Sequence, residues 1–195
     1  MTVHFVDTDR PFFDALAARF GLKCTRFSDR ELRYENSRVN MTVHFDPVRS
    51  FELGVEIGAQ ADSKAGPAFS LAEILRLRKS PESTYVDGLT VTNQQSLKRA
   101  LARLTGLIEE FAAELLSGDE AMFAELARQR EAESVKYELQ IKLKRATSDA
   151  NTAWQVGNFP AVVAALSPLE NSLSDAEKKR LAIARKRAIL PQRGQ

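Results

Sequence analysis

The chain has 195 residues, of which 44% are hydrophobic and 28% are charged, and its formal net charge is +2. This composition is that of a globular protein, and the length allows a core that buries roughly 70% of the unfolded chain's surface. The single cysteine, Cys24, excludes an intramolecular disulfide and a zinc site built from several thiolates. No apolar run reaches the ~20 residues of a membrane span and no secretory signal is visible, so we predict a cytoplasmic protein without a membrane partner.

The N-terminal segment has the pattern of an amphipathic helix. Phe12 and Leu16 recur at helical spacing. Asp9 and Pro11 are typical of a helix start, and Gly21 is typical of a C-terminal cap. We therefore predict a helix that begins near Asp9, ends at Gly21 and lies on the apolar face of a sheet.

Residues 22–58 predict an antiparallel meander in which one face of the sheet is apolar. A two-residue turn at Asn36 and Ser37 and a second turn over 46–50 place every apolar residue of that face opposite another apolar residue. The predicted pairs are Leu32–Met41, Tyr34–Val39, Phe45–Phe51, Val43–Leu53, Met41–Val55 and Val39–Ile57. A sheet with one buried face shows this alternation.

The opposite face of the predicted sheet is polar, and we predict it to be a binding surface. Its residues are Arg33, Glu35, Asn40, Thr42, His44, Glu52 and Glu56. In this register His44 lies opposite Glu52, and a carboxylate beside an imidazole can orient it for general acid–base catalysis. A cross-strand polar pair of a few tenths of a kcal/mol is the structural alternative. We favour that alternative because an open sheet face offers neither desolvation nor a third group.

The segment after the meander contains a loop, a short helix and an aperiodic stretch. A small polar loop is predicted over 59–69, and a capping box at Ser70–Glu73 then begins a short helix. Residues 79–91 contain Pro81 and Gly88 and show no periodicity, so we predict a linker there.

The prediction for the whole chain is an α+β protein with two domains. An antiparallel β-meander packed by helices occupies residues 1–78, and an all-α region with a helical hairpin occupies residues 92–195. Capping boxes are predicted to begin helices of the second domain at Thr92 and at Ser174.

The segment Val135–Lys144 fits two kinds of structure. Its apolar residues alternate as in a strand, but they also follow the spacings of three and four that are typical of a helix. We favour a helix because no turn residue separates this segment from its helical flanks. Tyr137, Ile141 and Trp154 then belong to the core, which we favour, or form an exposed aromatic groove that would indicate an interaction surface.

The following segment resembles a tetratricopeptide-type helical hairpin. Ala150 and Trp154 are followed by Gly157, by the aromatic Phe159 and by an apolar helix that includes Val162. Since one such hairpin needs neighbouring helices to bury its faces, we predict a small helical bundle and not a solenoid.

Several runs of the chain resemble a set of uncharacterised small bacterial proteins. The runs are Arg33–Asn36, Val39–Phe45, Glu52–Gly58 and Ser70–Leu77, and many of those proteins end in a helical segment similar to Ala150–Lys186. The resemblance covers most of the chain. It implies a bacterial cytosolic protein and carries over no catalytic residue.

Motifs of the large enzyme classes are absent from the sequence. It contains no phosphate-binding Gly-Lys-Ser/Thr loop, no Gly-x-Gly-x-x-Gly fingerprint and no Gly-x-Ser-x-Gly elbow. The two histidines, His4 and His44, are forty residues apart and cannot form a His-Glu-x-x-His zinc helix. Cys24, near Lys23 and Arg26, is either a nucleophile or, as we favour, a half-buried strand residue. We therefore expect no catalytic residue, no metal and no cofactor.

Basic residues concentrate near the C-terminus. Lys178, Lys179, Arg185 and Arg187 are the candidates to bind phosphate groups, although no aromatic residue lies between them to stack on bases. A solvated helix end, where cations interact favourably with the helix dipole, is the structural alternative and the one that we favour.

Three functional hypotheses follow from the sequence. The first, which we favour, is a non-catalytic protein that binds another protein, such as an immunity or inhibitor protein or an adaptor. The second is a nucleic-acid-binding accessory protein that uses the basic C-terminal helix. The third is an enzyme centred on His44, Glu52 and Glu56.

Overall fold

An antiparallel sheet of five strands, in the spatial order β1-β2-β3-β4-β5, forms the first part of the fold. The strands are β1 (Lys23–Ser28), β2 (Glu31–Glu35), β3 (Val39–Phe45), β4 (Leu53–Ala61) and β5 (Lys64–Ser70). These bounds come from a computed structural model, which describes residues 5–61 and 64–189 and the side chains of residues 10–60 and 67–189.

Helices precede and follow the sheet. They are α1 (Phe5–Arg19), α2 (Leu71–Leu77), α3 (Ser83–Val86), α4 (Gln94–Phe111), α5 (Ala113–Leu116), α6 (Glu120–Gln155), α7 (Phe159–Leu166) and α8 (Asp175–Ile189), with a 3-10 helix over Ser167–Ser172. The predicted fold class is confirmed: an α+β arrangement with an antiparallel sheet is followed by a helical region. None of the helices over the described residues combines the length and the apolar composition needed to cross a membrane.

Contacts divide the chain into two compact units, Met1–Arg130 and Glu131–Gln195. The segment 79–91, predicted as a linker, therefore lies within the first unit. Val86 and Val91 of this segment are buried in the core, and Thr90 pairs with Glu52 in an isolated β-bridge.

Alternation of apolar and polar residues along the strands places apolar side chains in the core of the first unit. The inward-facing residues of β2, β3 and β4 are buried, and they share one cluster with Phe13 and Leu16 of α1 and with Leu97, Leu101 and Leu104 of α4. The amphipathic helix predicted near the N-terminus thus packs as expected, and Gly21 follows it with a positive φ of 66°. Its predicted start was wrong, because α1 already includes Phe5 and Pro11 lies inside it.

The predicted register of the β2–β3 hairpin was wrong by two residues. Leu32 pairs with Val43 and Tyr34 with Met41, because the reversal takes four residues and not two. The Asn36 carboxamide oxygen accepts hydrogen bonds from the backbone N–H groups of Arg38 and Val39, at 2.8 and 2.9 Å. These two bonds close the four-residue loop between β2 and β3. A shift of two residues keeps every side chain on its predicted face.

The β3–β4 register differs from the prediction in the same way. Val43 pairs with Val55, and Phe45 pairs with Leu53 and not with Phe51. The carboxylate of Asp46 accepts hydrogen bonds from the backbone N–H groups of Val48, Arg49 and Ser50. These bonds lower the pKa of Asp46 to about 2. The loop is longer than predicted because Asp46 organises it and because Phe51 has a left-handed φ of 55°.

Two further boundaries differ from the sequence prediction. The segment 59–69 is not a loop, since β4 extends to Ala61 and β5 begins at Lys64. Pro67 lies in β5, an edge strand, where a residue without an N–H group is tolerated. The capping box predicted at Thr92 is shifted by one residue and joins Asn93 to Ser96, whereas the one at Ser70 is confirmed.

The second unit packs its helices around small and branched residues. The segment Val135–Lys144 lies inside α6, so the helix prediction is confirmed. Ala146 and Ala150 of α6 share a buried cluster with residues of α7 and α8, namely Val162, Leu166, Leu181 and Ala184. The likeness of this segment to a tetratricopeptide hairpin stays a resemblance.

Candidate interaction surfaces

The outer face of the sheet carries the polar residues that the sequence predicted for it. Arg33, Thr42 and Glu56 lie side by side across β2, β3 and β4, and Glu35 and Asn40 form the neighbouring row. Regular alternation places them there, because each occupies an outward position of its strand.

Arg33, Glu35 and Asn40 have side-chain partners within the chain. The Arg33 Nε donates to Glu35 Oε2 at 3.0 Å. Asn40 is only 5% exposed, and its carboxamide lies over Gly58, where a Cβ atom would be 3.1 Å from its Nδ2. A ligand on this face therefore meets mainly His44 and Glu52, which are exposed.

His44 does not lie opposite Glu52. Its cross-strand neighbours are Gly54 on β4 and Glu31 on β2, and its ring lies over Gly54, where a Cβ atom would be 2.3 Å from Nε2. The prediction of a His44–Glu52 pair was wrong because the loop that follows β3, organised by Asp46, is two residues longer than predicted. Among the described residues, the His44 ring makes no hydrogen bond or ion pair.

A cleft of about 290 Å³ lies beside His44 and is also lined by Glu52, Glu56, Ser70, Asp87 and Gly88. Its carboxylates could accept hydrogen bonds from a cationic group. Over the side chains that the structure describes, no group of three or more His, Cys, Asp or Glu residues is arranged to hold a metal ion. Cys24 is half-buried on β1, as the sequence interpretation favoured.

A second surface lies on α6. Residues 131–138 are all exposed, and they include Val135 and Tyr137, whose exposed fractions are 58% and 65%. Leu139 and Ile141 are partly exposed next to them. The placement of Tyr137 in the core was wrong, because its side chain is largely exposed.

A third surface lies on α8, where the predicted basic residues differ in exposure and in partners. Lys178 and Lys179 are exposed. Arg185 donates from Nη1 and Nη2 to the two carboxylate oxygens of Glu170, at 2.8 and 2.7 Å, and these bonds lower the pKa of Glu170. The guanidinium group of Arg187 lies over an aromatic ring of α7, 5.1 Å from the centroid of Phe159.

The sequence interpretation missed the aromatic partners of this basic helix. Trp154 and Phe159 contact each other edge to face, with their centroids 5.4 Å apart, and Arg180 lies 4.8 Å from the Trp154 centroid. Arg180 and Arg187 are seven residues apart, which places both on one side of α8. Their aromatic neighbours come from α6 and α7, and only the packing of three helices brings them together.

Searches of protein-family models, of curated proteins and of solved structures gave no match to this chain.

Proposed function

We propose that this chain is a non-catalytic protein that binds another protein through the exposed segment of α6. The observation that carries the proposal is the exposure of Val135 and Tyr137 in the middle of a helix. Val135 adjoins the partly exposed Leu139, and Tyr137 adjoins the partly exposed Ile141 on another side of the helix, because residues four apart are neighbours on a helix surface. Apolar side chains that adjoin each other at the surface are typical of a protein–protein contact. Inhibitor, immunity and adaptor proteins act in this way.

The apolar stripe of α6 indicates what kind of partner fits. Val135 and Leu139 continue, at spacings of three and four, the stripe of Leu143, Ala146 and Ala150. Ala146 and Ala150 are buried against helices α7 and α8 of the same chain. A helix laid on Val135 and Leu139 would extend the same helix-to-helix packing. We therefore expect the partner to supply an amphipathic helix.

The environment of His44 supports a role without catalysis. A general base needs a group that orients its ring and a partner within hydrogen-bond reach. Over the described residues the ring of His44 makes no hydrogen bond or ion pair with its cross-strand neighbour Glu31, and its other cross-strand neighbour, Gly54, has no side chain. The predicted binding role of the sheet's outer face, including Arg33, Glu35, Thr42 and Glu56, stays a prediction.

A quantitative capture experiment tests this proposal. The purified chain is immobilised, and the proteins it retains from a lysate of its source organism are quantified by mass spectrometry. The double variant Val135→Ala/Tyr137→Ala removes the apolar contacts and keeps a good helix former at both positions. The matched control is Gln140→Ala/Lys144→Ala, which truncates two exposed polar residues of the same helix.

We expect the retained amount of one partner to fall by about tenfold or more in Val135→Ala/Tyr137→Ala, because buried apolar anchors dominate binding free energy. The control should retain the partner within about twofold, since truncating polar groups at the edge of an interface changes binding little. Equal retention by the wild type and the double variant would contradict the proposal.

A further inference from the structure

Arg180 and Arg187 form a basic and aromatic cluster with Trp154 and Phe159. The guanidinium carbon of Arg180 lies 4.8 Å from the Trp154 ring centroid, and that of Arg187 lies 5.9 Å from it. Arg187 also lies 5.1 Å from the Phe159 centroid. Cation–π contacts of this kind hold the two guanidinium groups in place.

Neither of these two arginines forms a salt bridge over the described residues, although the charge of Arg180 is close enough to Glu177 to help lower the pKa of that carboxyl. Arg180 donates to the carboxamide of Asn151, while the nearby Glu177 accepts hydrogen bonds from Thr147 and Ser174. Arg185, on the same helix, is instead neutralised by its two bonds to Glu170. The cluster therefore holds two oriented cations whose remaining N–H groups can bind an anion.

An apolar residue lies between the two cations. Ile183 is 44% exposed, and it follows Arg180 by three residues and precedes Arg187 by four, so the three share one side of α8. Two helical turns separate the arginines, which is about 10 Å along the axis. The surface therefore presents a cation, an apolar contact and a second cation in a row.

We propose that this surface binds an acidic peptide segment of a partner protein. Carboxylates of the segment accept hydrogen bonds from Arg180 and Arg187, and an apolar side chain of the segment contacts Ile183. The proposal rests on the proposed function and adds the chemistry of a partner segment to it. Residues 131–195 carry eleven Lys and Arg against seven Asp and Glu, which favours an acidic partner.

The same geometry is less suited to a nucleic acid. Single strands bind by stacking their bases on exposed aromatic rings. Here the guanidinium groups occupy positions over Trp154 and Phe159 that a base would need. Ile183, at the centre of the surface, offers nothing to a phosphate backbone.

Fluorescence anisotropy with the full chain tests the proposal. The probe is a fluorescein-labelled amphipathic peptide in which two Glu residues, seven positions apart, flank a Leu. A scrambled peptide of equal composition and a labelled oligothymidylate are the comparison probes. The variants are Arg180→Gln/Arg187→Gln and Ile183→Ser, and the matched control is Lys179→Gln/Lys186→Gln, which removes the same charge at the same spacing from another side of α8.

We expect about a tenfold loss of peptide affinity in Arg180→Gln/Arg187→Gln and a several-fold loss in Ile183→Ser, against less than about twofold in the lysine control. Equal losses in the arginine and lysine variants would overturn the proposal, because they would show attraction by net charge alone. Binding of the scrambled peptide with equal affinity would also overturn the proposal. So would arginine-dependent binding of the oligothymidylate that is tighter than binding of the acidic peptide.

Ile183→Ser keeps the test valid if the arginine variant fails to fold, since Ile183 is exposed and its replacement leaves the cation–π contacts in place. A negative result for the peptide is also separable from the proposed function. Capture of a partner that depends on Val135 and Tyr137 would then stand while the acidic-segment proposal fails.

Discussion

Lys79 adopts a left-handed backbone conformation, with a φ of 55°, just after α2. The N–H groups of Lys79 and Ser80 donate to the carbonyls of Arg76 and Leu75, at 3.0 and 2.9 Å, as in a helix C-terminus that usually ends in glycine. The side chain of Lys79 is exposed, so the backbone conformation is the main feature that a substitution there would change.

We expect Lys79→Gly to raise the free energy of unfolding by about 0.5–1 kcal/mol, because glycine adopts this conformation without steric cost. Urea denaturation measures the change. Lys98→Gly, at an exposed position inside α4, is the control and should lower the free energy of unfolding by about 1 kcal/mol. A similar decrease in both variants would show that Lys79 is not strained.

Tyr34 is a buried residue whose hydroxyl has one acidic partner. Its side chain is 1% exposed, and its hydroxyl donates to Asp14 Oδ1 at 2.9 Å. Burial, and then the bond to the Asp14 carboxylate, raise the pKa of Tyr34 far above its ordinary value near 10. The neutral phenol is therefore favoured in the folded chain, and ionisation in the unfolded chain opposes folding.

We expect stability to fall as pH rises above about 10, where the unfolded chain loses the Tyr34 proton and the folded chain keeps it. Tyr34→Phe should be less stable by about 1 kcal/mol at pH 8, through loss of the hydrogen bond, and should show a weaker decline above pH 10. Denaturation curves from pH 8 to 11 measure both effects. Parallel declines in the two proteins would contradict this account of Tyr34.

At the scale of elements, Glu73 joins α2 to two other elements of the first unit. Its carboxylate completes the capping box with Ser70. It also accepts hydrogen bonds from Nε and Nη2 of Arg130, at 2.7 and 2.9 Å. Arg130 also donates to the Ala68 carbonyl of β5 and lies over the Phe69 ring. Burial opposes ionisation of Glu73, but the bonds from Arg130 and Ser70 outweigh it and lower the pKa of Glu73.

We expect Glu73→Gln to destabilise the chain by about 1–3 kcal/mol at pH 7, because a charged acceptor is lost. Since the folded pKa is depressed, the contribution of Glu73 is present above the unfolded pKa near 4.5 and is lost as pH falls through the folded value. Urea denaturation from pH 7 to 3 should therefore show the two proteins converging below about pH 4.5.

Glu125→Gln is the control for that series, because Glu125 is an exposed residue of α6. Its effect should stay within about 0.5 kcal/mol at every pH. A difference between wild type and Glu73→Gln that persists unchanged at pH 3 would rule out a role for the Glu73 charge.

The faces of the strands could be predicted from sequence, but their register could not. Alternation of apolar and polar residues assigns Val43 inward and His44 outward, whatever the loop length. Loop length depends on which backbone N–H groups the side chains of Asn36 and Asp46 accept, and several turns were compatible with those residues. The neighbour of His44 was wrong for this reason.

The candidate surfaces on the helices were predictable in part. Seven-residue spacing indicates that Arg180 and Arg187 share a side of α8. The exposure of Tyr137 and the position of Trp154 depend on which stretches of α6 other helices cover. Sequence periodicity does not contain that information, because a stripe that continues from core to surface has the same pattern along its whole length.

At the scale of the whole molecule, the charge is divided unevenly between the two units. Residues 1–130 carry seventeen Lys and Arg against nineteen Asp and Glu, whereas residues 131–195 have an excess of basic residues. The formal net charge of +2 conceals this difference. Attraction of an acidic partner to the second unit should therefore weaken with added salt, while apolar contacts at Val135 and Tyr137 should depend on it little.

Photo-crosslinking from position 135 tests the central claim most directly, because Val135 is exposed on the stripe of α6 that the partner helix is proposed to cover. A photoreactive phenylalanine analogue replaces Val135 in one protein and His44, on the outer face of the sheet, in another. After irradiation in a lysate of the source organism, we predict a protein adduct from position 135, with the crosslink in an amphipathic helix of the partner. An adduct from position 44 and none from position 135 would contradict the account, and so would an adduct formed only with a second copy of this chain.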